Sequence, residues 1–167
     1  MNLYMNLSSP DFQNGNRIPK QFTCNRTTPP TLTISISEEL KESFNSYAMF
    51  LLDIDAPKQK NTGMRGWCHW LVPFMSTDVT EISANNITAL RESKQIIESY
   101  NSYGSRHYRG PCPPSGIHRY FFCLYALSTS LVNQKIDSLA QLMNYLQSHP
   151  EQIVAKTELM GTFSVSH

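Results

Sequence analysis

The sequence predicts a mainly β, antiparallel fold, and three observations carry the prediction. Short stretches rich in β-branched and aromatic residues recur, each bounded by Pro, Gly, Asn or Ser. Their apolar pattern has the period of strands, either alternating or nearly continuous. Only one stretch has the period of an amphipathic helix.

Taken in order, "TLTISIS" from Thr31 alternates as a half-buried strand should. "YAMFLLDI" from Tyr47 and "RYFFCLYALS" from Arg119 are almost unbroken, which suggests strands covered on both faces. "WCHWLVPFM" from Trp67 is a further strand. From Asp137, "DSLAQLMNYLQSH" puts Leu139, Leu142, Met143 and Leu146 on one stripe. Ser138 with Gln141 resembles a capping box, and Pro150 ends the helix. "IVAKTELMGTF" fits helix or strand, with Thr157 and Phe163 leaning to strand. The polar segment between Asp55 and Trp67 and the weakly patterned one from Ser76 to Gly110 are long connections, which in compact folds are functional or carry irregular structure of their own.

The chain has 167 residues, which fits one domain over 1–167, since domains commonly hold about 100 to 150 residues. Fourteen basic and thirteen acidic side chains leave a net charge of +1 with no block of either sign, so nothing favours a nucleic-acid partner. The N-terminal stretch turns polar after Leu7, unlike a secretory signal, and the longest apolar candidate, Tyr120 to Leu127, is too short to span a membrane. A cytoplasmic location follows as an expectation. Cys24, Cys68, Cys112 and Cys123 should then be reduced and packed in or near the core, and none forms a CxxC pair of the kind that holds zinc.

Three stretches offer chemistry. "LLDIDAPKQ" sets Asp53 and Asp55 at a strand end, on one side if the strand stays extended; such acids share a proton, bind a cation, or hydrogen-bond to their surroundings, and Asp with Pro also opens turns. "GWCHWLVPF" points Trp67 and His69 one way and Cys68 and Trp70 the other, His69 being either a core histidine or a ligand group. In "GPCPPSGIHRY", Gly110 and Gly116 let backbone approach a bound group. Pro111, Pro113 and Pro114 stiffen the loop, with X-Pro bonds free to be cis or trans. His118 and Tyr120 share one strand face, and Arg119 takes the other. Converging, these groups suit a phosphate, and a phosphate joined to an amine suits the mixed lining better still.

"DIDAP", "WCHWLV" and "YRGPCPPSGIHRYFFCLYAL", in this order and at these separations, resemble the phosphatidylethanolamine-binding proteins, a family that includes Raf kinase inhibitor protein. "IPKQFTCN" and "AKTELMGTF" look like signatures of its bacterial branch. The resemblance covers nearly the whole chain. It implies an antiparallel β-sheet sandwich with a few short peripheral helices and a pocket for phosphate or phosphoethanolamine-like anions. By the same resemblance the pocket comprises Asp53, Asp55, His69, Gly110, Pro111, Cys112, His118 and Tyr120, with no metal and no cofactor.

The chain also departs from its relatives. Ile54 stands where the family usually has the proline of Asp-Pro-Asp, and "TCNRTTPPTLTIS" lacks the usual Asp-Gly. The expected function is non-enzymatic binding of a phosphate-bearing small molecule or phospholipid head group, with regulation of a protein partner. One alternative is a kinase or serine-protease inhibitor acting through surface loops. Another is a hydrolase with Cys112 or Ser115 as nucleophile. A homodimer is implied by the bacterial members.

Overall fold

The computed structural model describes residues 2–57 and 65–165. Most of the expected polar loop between Asp55 and Trp67 therefore lies outside the described residues. In chain order the elements are β1 (Met5–Ser8), β2 (Leu32–Ile36), α1 (Glu38–Lys41), β3 (Ser46–Asp53), β4 (Trp67–Met75), β5 (Glu81–Ile82), α2 (Ile87–Glu92), β6 (Ile96–Ser99), β7 (His118–Leu127), α3 (Leu139–Ser148) and β8 (Ile153–Phe163). They form two antiparallel sheets, one ordered β1-β2-β5 and the other β6-β4-β3-β7-β8.

The two sheets face each other across the larger core. Leu7, Leu32, Ile34 and Ile82 of the smaller sheet pack there with Met49, Leu51, Val72, Phe122 and Leu124 of the larger one. On the far side of the larger sheet, Ala48, Phe50, Cys123 and Tyr125 meet Leu139, Leu142 and Leu146 of α3. Strands β3 and β7 thus bury successive side chains on opposite faces, which is why their sequences read as unbroken apolar runs. The mainly β prediction holds, and the sandwich carries a helix on its outer face.

Local signals explain the edges. Ser138 caps α3 by accepting the Gln141 backbone N–H, and Gln141 Oε1 accepts in return from the N–H of Asp137, one residue earlier than a capping box has it. The ambiguous last segment is strand throughout and pairs along β7. Its outer edge is covered: Ile18 N–H donates to the Thr162 carbonyl, and Thr162 N–H donates to that of Asn16. The region from Ser76 to Gly110, weakly patterned in sequence, contains β5, α2 and β6.

One expectation fails at β4 and its companion holds. Leu51 pairs with Trp70 and Leu52 with Cys68, so the register slips by one at His69, as in a β-bulge. Trp70 consequently enters the larger core and Cys68 the smaller, rather than sharing a face. The bulge leaves Trp67 and His69 on the same cavity.

Candidate functional site

Strands β4, β3 and β7 are neighbours, and at one end of them Asp53 pairs with Trp67 on one side and Tyr120 on the other. Adjacent strands thereby set an acid, an indole and a phenol in one row. His118, two residues before Tyr120, and His69, on the bulge, join the row around a cavity of about 390 Å3. Pro113, Pro114 and Ser115 form the wall opposite, and Asp55 and Pro57 stand at the rim.

Asp53 is only 4% exposed. Its Oδ1 accepts the N–H groups of Asp55 (2.9 Å) and Ala56 (3.1 Å), and its Oδ2 accepts from His118 Nδ1 (2.7 Å). The turn after β3 is therefore built on the Asp53 side chain. It also separates the two acids. Asp55 accepts the Arg119 N–H at 2.8 Å and the guanidinium at 2.8 and 3.0 Å, and that pairing holds its carboxyl below the usual range. The expected carboxylate pair is thus two separate sites, a buried acid on a histidine and an exposed acid on an arginine. Ile54 has its own use: its N–H donates to the Arg119 carbonyl at 3.2 Å, a bond that proline could not make.

His69 is buried, and its Nδ1 lies 2.8 Å from the Arg109 carbonyl. A carbonyl only accepts, so Nδ1 carries the proton and Nε2 is left for the cavity side. Burial pushes the His69 pKa down, against a smaller upward pull from that carbonyl bond and from Asp53. Tyr120 packs edge-on to His69 with centroids 5.5 Å apart, and burial next to Asp53 raises its phenol pKa. Tyr103, from the long connection after β6, closes the mouth. It sits edge-on to Trp67 at 5.4 Å and carries the Arg109 guanidinium 4.5 Å from its ring centroid.

Among the described residues, two buried side-chain polar atoms form no hydrogen bond of good geometry: Tyr120 Oη, which lies beside the Asp53 carboxylate, and Trp67 Nε1, which lies beside the Tyr103 hydroxyl. Both belong to residues lining this cavity. Buried donors are rarely left without a partner, because desolvation costs about 1 to 3 kcal/mol each.

Two of the four cysteines differ from expectation. Cys24 and Cys112 form a disulfide across 88 positions of sequence, while Cys68 and Cys123 are free and buried. The bond joins the Pro113–Pro114 wall to the segment before β2, beside backbone bonds from Cys24 N–H to the Pro111 carbonyl (2.8 Å) and from Gly110 N–H to that of Arg26 (3.0 Å). Cys112 borders the cavity as expected, but as a disulfide rather than a thiol. Gly110 and Pro111 lie behind the wall instead of on the cavity. A Cβ on Gly110 would come within 2.6 Å of the Thr23 backbone, so its glycine serves close packing within the chain. Gly116 turns the chain at φ +72° just before β7. The peptide bonds of the described residues, X-Pro included, are trans.

Of the eight residues expected at the site, Asp53, Asp55, His69, Cys112, His118 and Tyr120 line the cavity. Sequence reasoning left out Trp67, although it had placed that indole on the His69 side. It had no signal for Tyr103, which lies in a connection without periodicity.

An all-antiparallel sandwich with an acid, two histidines and a tyrosine at three strand ends defines a class of pocket protein, and the comparisons identify it. The profile of the phosphatidylethanolamine-binding proteins matches residues 8–164. The UPF0098 protein of Methanothermobacter thermautotrophicus is 34% identical over 161 residues, covering 95% of this chain and 98% of its own. That of Chlamydia pneumoniae is 34% identical over 167 residues, 97% and 100% of the two chains. The crystal structure of CT736 of Chlamydia trachomatis, described as a phosphatidylethanolamine-binding protein homologue, superposes with a TM-score of 0.76 at 29% identity, over 95% of this chain and 96% of that one. Escherichia coli YbcL shares the fold at a TM-score of 0.77 and 22% identity, over 97% and 99%. The chain belongs to the phosphatidylethanolamine-binding protein family.

Proposed function

We propose that this protein is a non-enzymatic binding protein whose strand-end cavity takes phosphate or the phosphate of a phosphoethanolamine-like ligand. The observation that carries the reading is the pair of buried donors without a well-formed hydrogen bond, Tyr120 Oη and Trp67 Nε1, on a cavity that also holds two imidazoles. His69 uses its Nδ1 on a carbonyl and His118 its Nδ1 on Asp53, so each ring has Nε2 left for a ligand, accepting when neutral and donating when protonated. Phosphate offers acceptors to the fixed donors and exchangeable protons to the rings. Asp53 stays compatible with the anion because its own oxygens are already hydrogen-bonded.

The test is an NMR titration of the isotope-labelled chain with orthophosphate, phosphoethanolamine and ethanolamine. Millimolar phosphate and phosphoethanolamine should move the His69 and His118 ring signals, and ethanolamine alone should not. Rings that stay still with all three ligands overturn the reading. The hydrolase alternative loses Cys112, whose sulfur is bonded to Cys24. A regulatory or inhibitory role towards a protein partner would use the rim, where Tyr103 and Ile117 are 43% and 71% exposed. Capture of a kinase or protease that survives His69→Ala would favour it. The disulfide weighs against the cytoplasmic location, since such bonds persist in oxidising compartments; thiol counting on protein from acid-quenched cells decides the matter.

A further inference from the structure

A second cavity, of about 410 Å3, lies away from the first, between α2 and the edge strand β6. Its base is the Glu98 side chain, only 5% exposed. This carboxylate is already satisfied: it accepts Arg91 Nε at 2.6 Å and Nη2 at 3.1 Å, Trp70 Nε1 from the core at 2.7 Å, and lies 3.3 Å from His107 Nδ1. Glu98 therefore neutralises Arg91 and has little capacity for anything else. Lys94 and Arg106, also on the cavity wall, stand in excess of the one acid.

The Arg106 guanidinium and the Lys94 backbone are both held in place. Arg106 lies over the Tyr100 ring, 4.6 Å from its centroid, and donates to the Tyr100 hydroxyl at 2.9 Å. Lys94 occupies the left-handed position that ends α2, at φ +59°. Gln95 N–H donates to the Leu90 carbonyl and Lys94 N–H to that of Arg91, the Schellman pattern in which glycine is the usual residue. A lysine here accepts backbone strain that glycine would avoid, and strain of this kind clusters at functional sites. Among the described residues no carboxylate pairs with Lys94. Between the cations, the half-buried Ile97 supplies apolar surface, while Ile96 is buried in the larger core beneath.

We propose that this cavity is a second ligand site, for a small organic anion: a carboxylate or phosphate group held by Lys94 and Arg106, joined to an apolar body lying on Ile97. Its volume falls within the range of about 300 to 1,000 Å3 typical of small-molecule sites. The cationic excess selects the anionic head, and Ile97 favours an anion with an apolar body over a free inorganic one.

Titration of the 15N-labelled full chain with phenyl phosphate, benzyl alcohol and inorganic phosphate tests the proposal. Phenyl phosphate at millimolar concentration should shift the amides of Lys94 to Ile97 and of His107, and neither control should match it. Lys94→Gly combined with Arg106→Gln removes two charge-assisted contacts, each worth about tenfold, and should weaken the affinity read from those shifts about a hundredfold. Shifts at His118 and Tyr120, which report the first cavity, should remain in the double variant. Lys94→Gly alone should fold at least as stably as the parent, since it removes the strain. Absence of shifts at Lys94 to Ile97, equal shifts with benzyl alcohol, or an unchanged affinity in the double variant overturns the second site and leaves the reading of the first cavity standing.

Discussion

Asp53 and Glu98 are both buried carboxylates beside a cavity, and they are satisfied in opposite ways. Asp53 takes two backbone N–H groups and one imidazole, so local chain geometry does most of the work. Glu98 takes a bidentate guanidinium, an indole and an imidazole, all from side chains. In the first cavity the donors Tyr120 Oη and Trp67 Nε1 are left without a well-formed hydrogen bond. In the second the Trp70 indole is consumed by the acid, and the excess is charge. A ligand of the first cavity is thus met by hydrogen-bond donors at fixed positions, and one of the second by cations beside an apolar wall.

The largest expected effect comes from the bond that only the first cavity has. Replacing Cys24 and Cys112 by serine removes a constraint spanning 88 positions, for which the chain-entropy argument gives a loss of about 4.6 kcal/mol. Urea unfolding measures it. In the protein that remains folded, phosphate affinity at His69 and His118 should fall because the Pro113–Pro114 wall is released. The amide shifts at Lys94 to Ile97 should be unaffected. Equal damage to both cavities would break the comparison.

A second test sets the two acids against each other. Glu98→Ala leaves the Arg91 guanidinium and the Trp70 indole without their acceptor and should cost about 3 kcal/mol. Asp53→Asn keeps an Oδ1 for the two backbone N–H groups and should cost about 1 kcal/mol. Thermal or urea unfolding of both variants gives the order, and its reversal would mean that the His118 contact, not the turn, dominates at Asp53.

These contrasts also explain what was legible in the sequence. Asp53, His69, His118 and Tyr120 stand at the ends of strands whose apolar patterns are strong, so strand registration alone brings them together. Glu98 was invisible because "QIIESY" carries one charge in a weak four-residue strand, and its partners Arg91, His107 and Trp70 come from three other segments. The disulfide was hidden for a related reason: neither cysteine lies near the other in sequence, and their segments are brought into register by tertiary packing of Gly110 on Thr23 and by backbone bonds between them. The slip at His69 was unreadable because a bulge adds a residue without changing the hydrophobic composition. Gly110 was read as a ligand contact because a glycine required by packing and one required by a ligand look alike in sequence.

Tyr120→Phe probes these donors of the first cavity. Deleting a buried hydroxyl without a well-formed hydrogen bond should leave stability unchanged or raise it by up to about 1 kcal/mol, while phosphate affinity falls about tenfold. Calorimetric titration and thermal unfolding on the same variant read both signs. A stability loss without an affinity loss would show that the hydroxyl serves the fold, and the contrast between the two cavities would lose its basis.

The smallest effect is on pH dependence. Burial holds the His69 pKa in the folded chain below its ordinary 6.5, so between the two values the unfolded chain binds more protons. The contribution of His69 to stability is therefore complete above about pH 6.5 and declines as pH falls through that window, at no more than about 1.4 kcal/mol per unit. Bound phosphate places a negative charge beside the ring and favours its protonated form, which raises the folded pKa towards or past the ordinary value. Saturating phosphate should accordingly flatten the acid decline, and His69→Gln should abolish both the decline due to this ring and its response to phosphate. Denaturant unfolding across that window, with the ring signal followed in parallel, measures the two slopes; a decline that phosphate leaves unchanged would place the anion elsewhere than against His69.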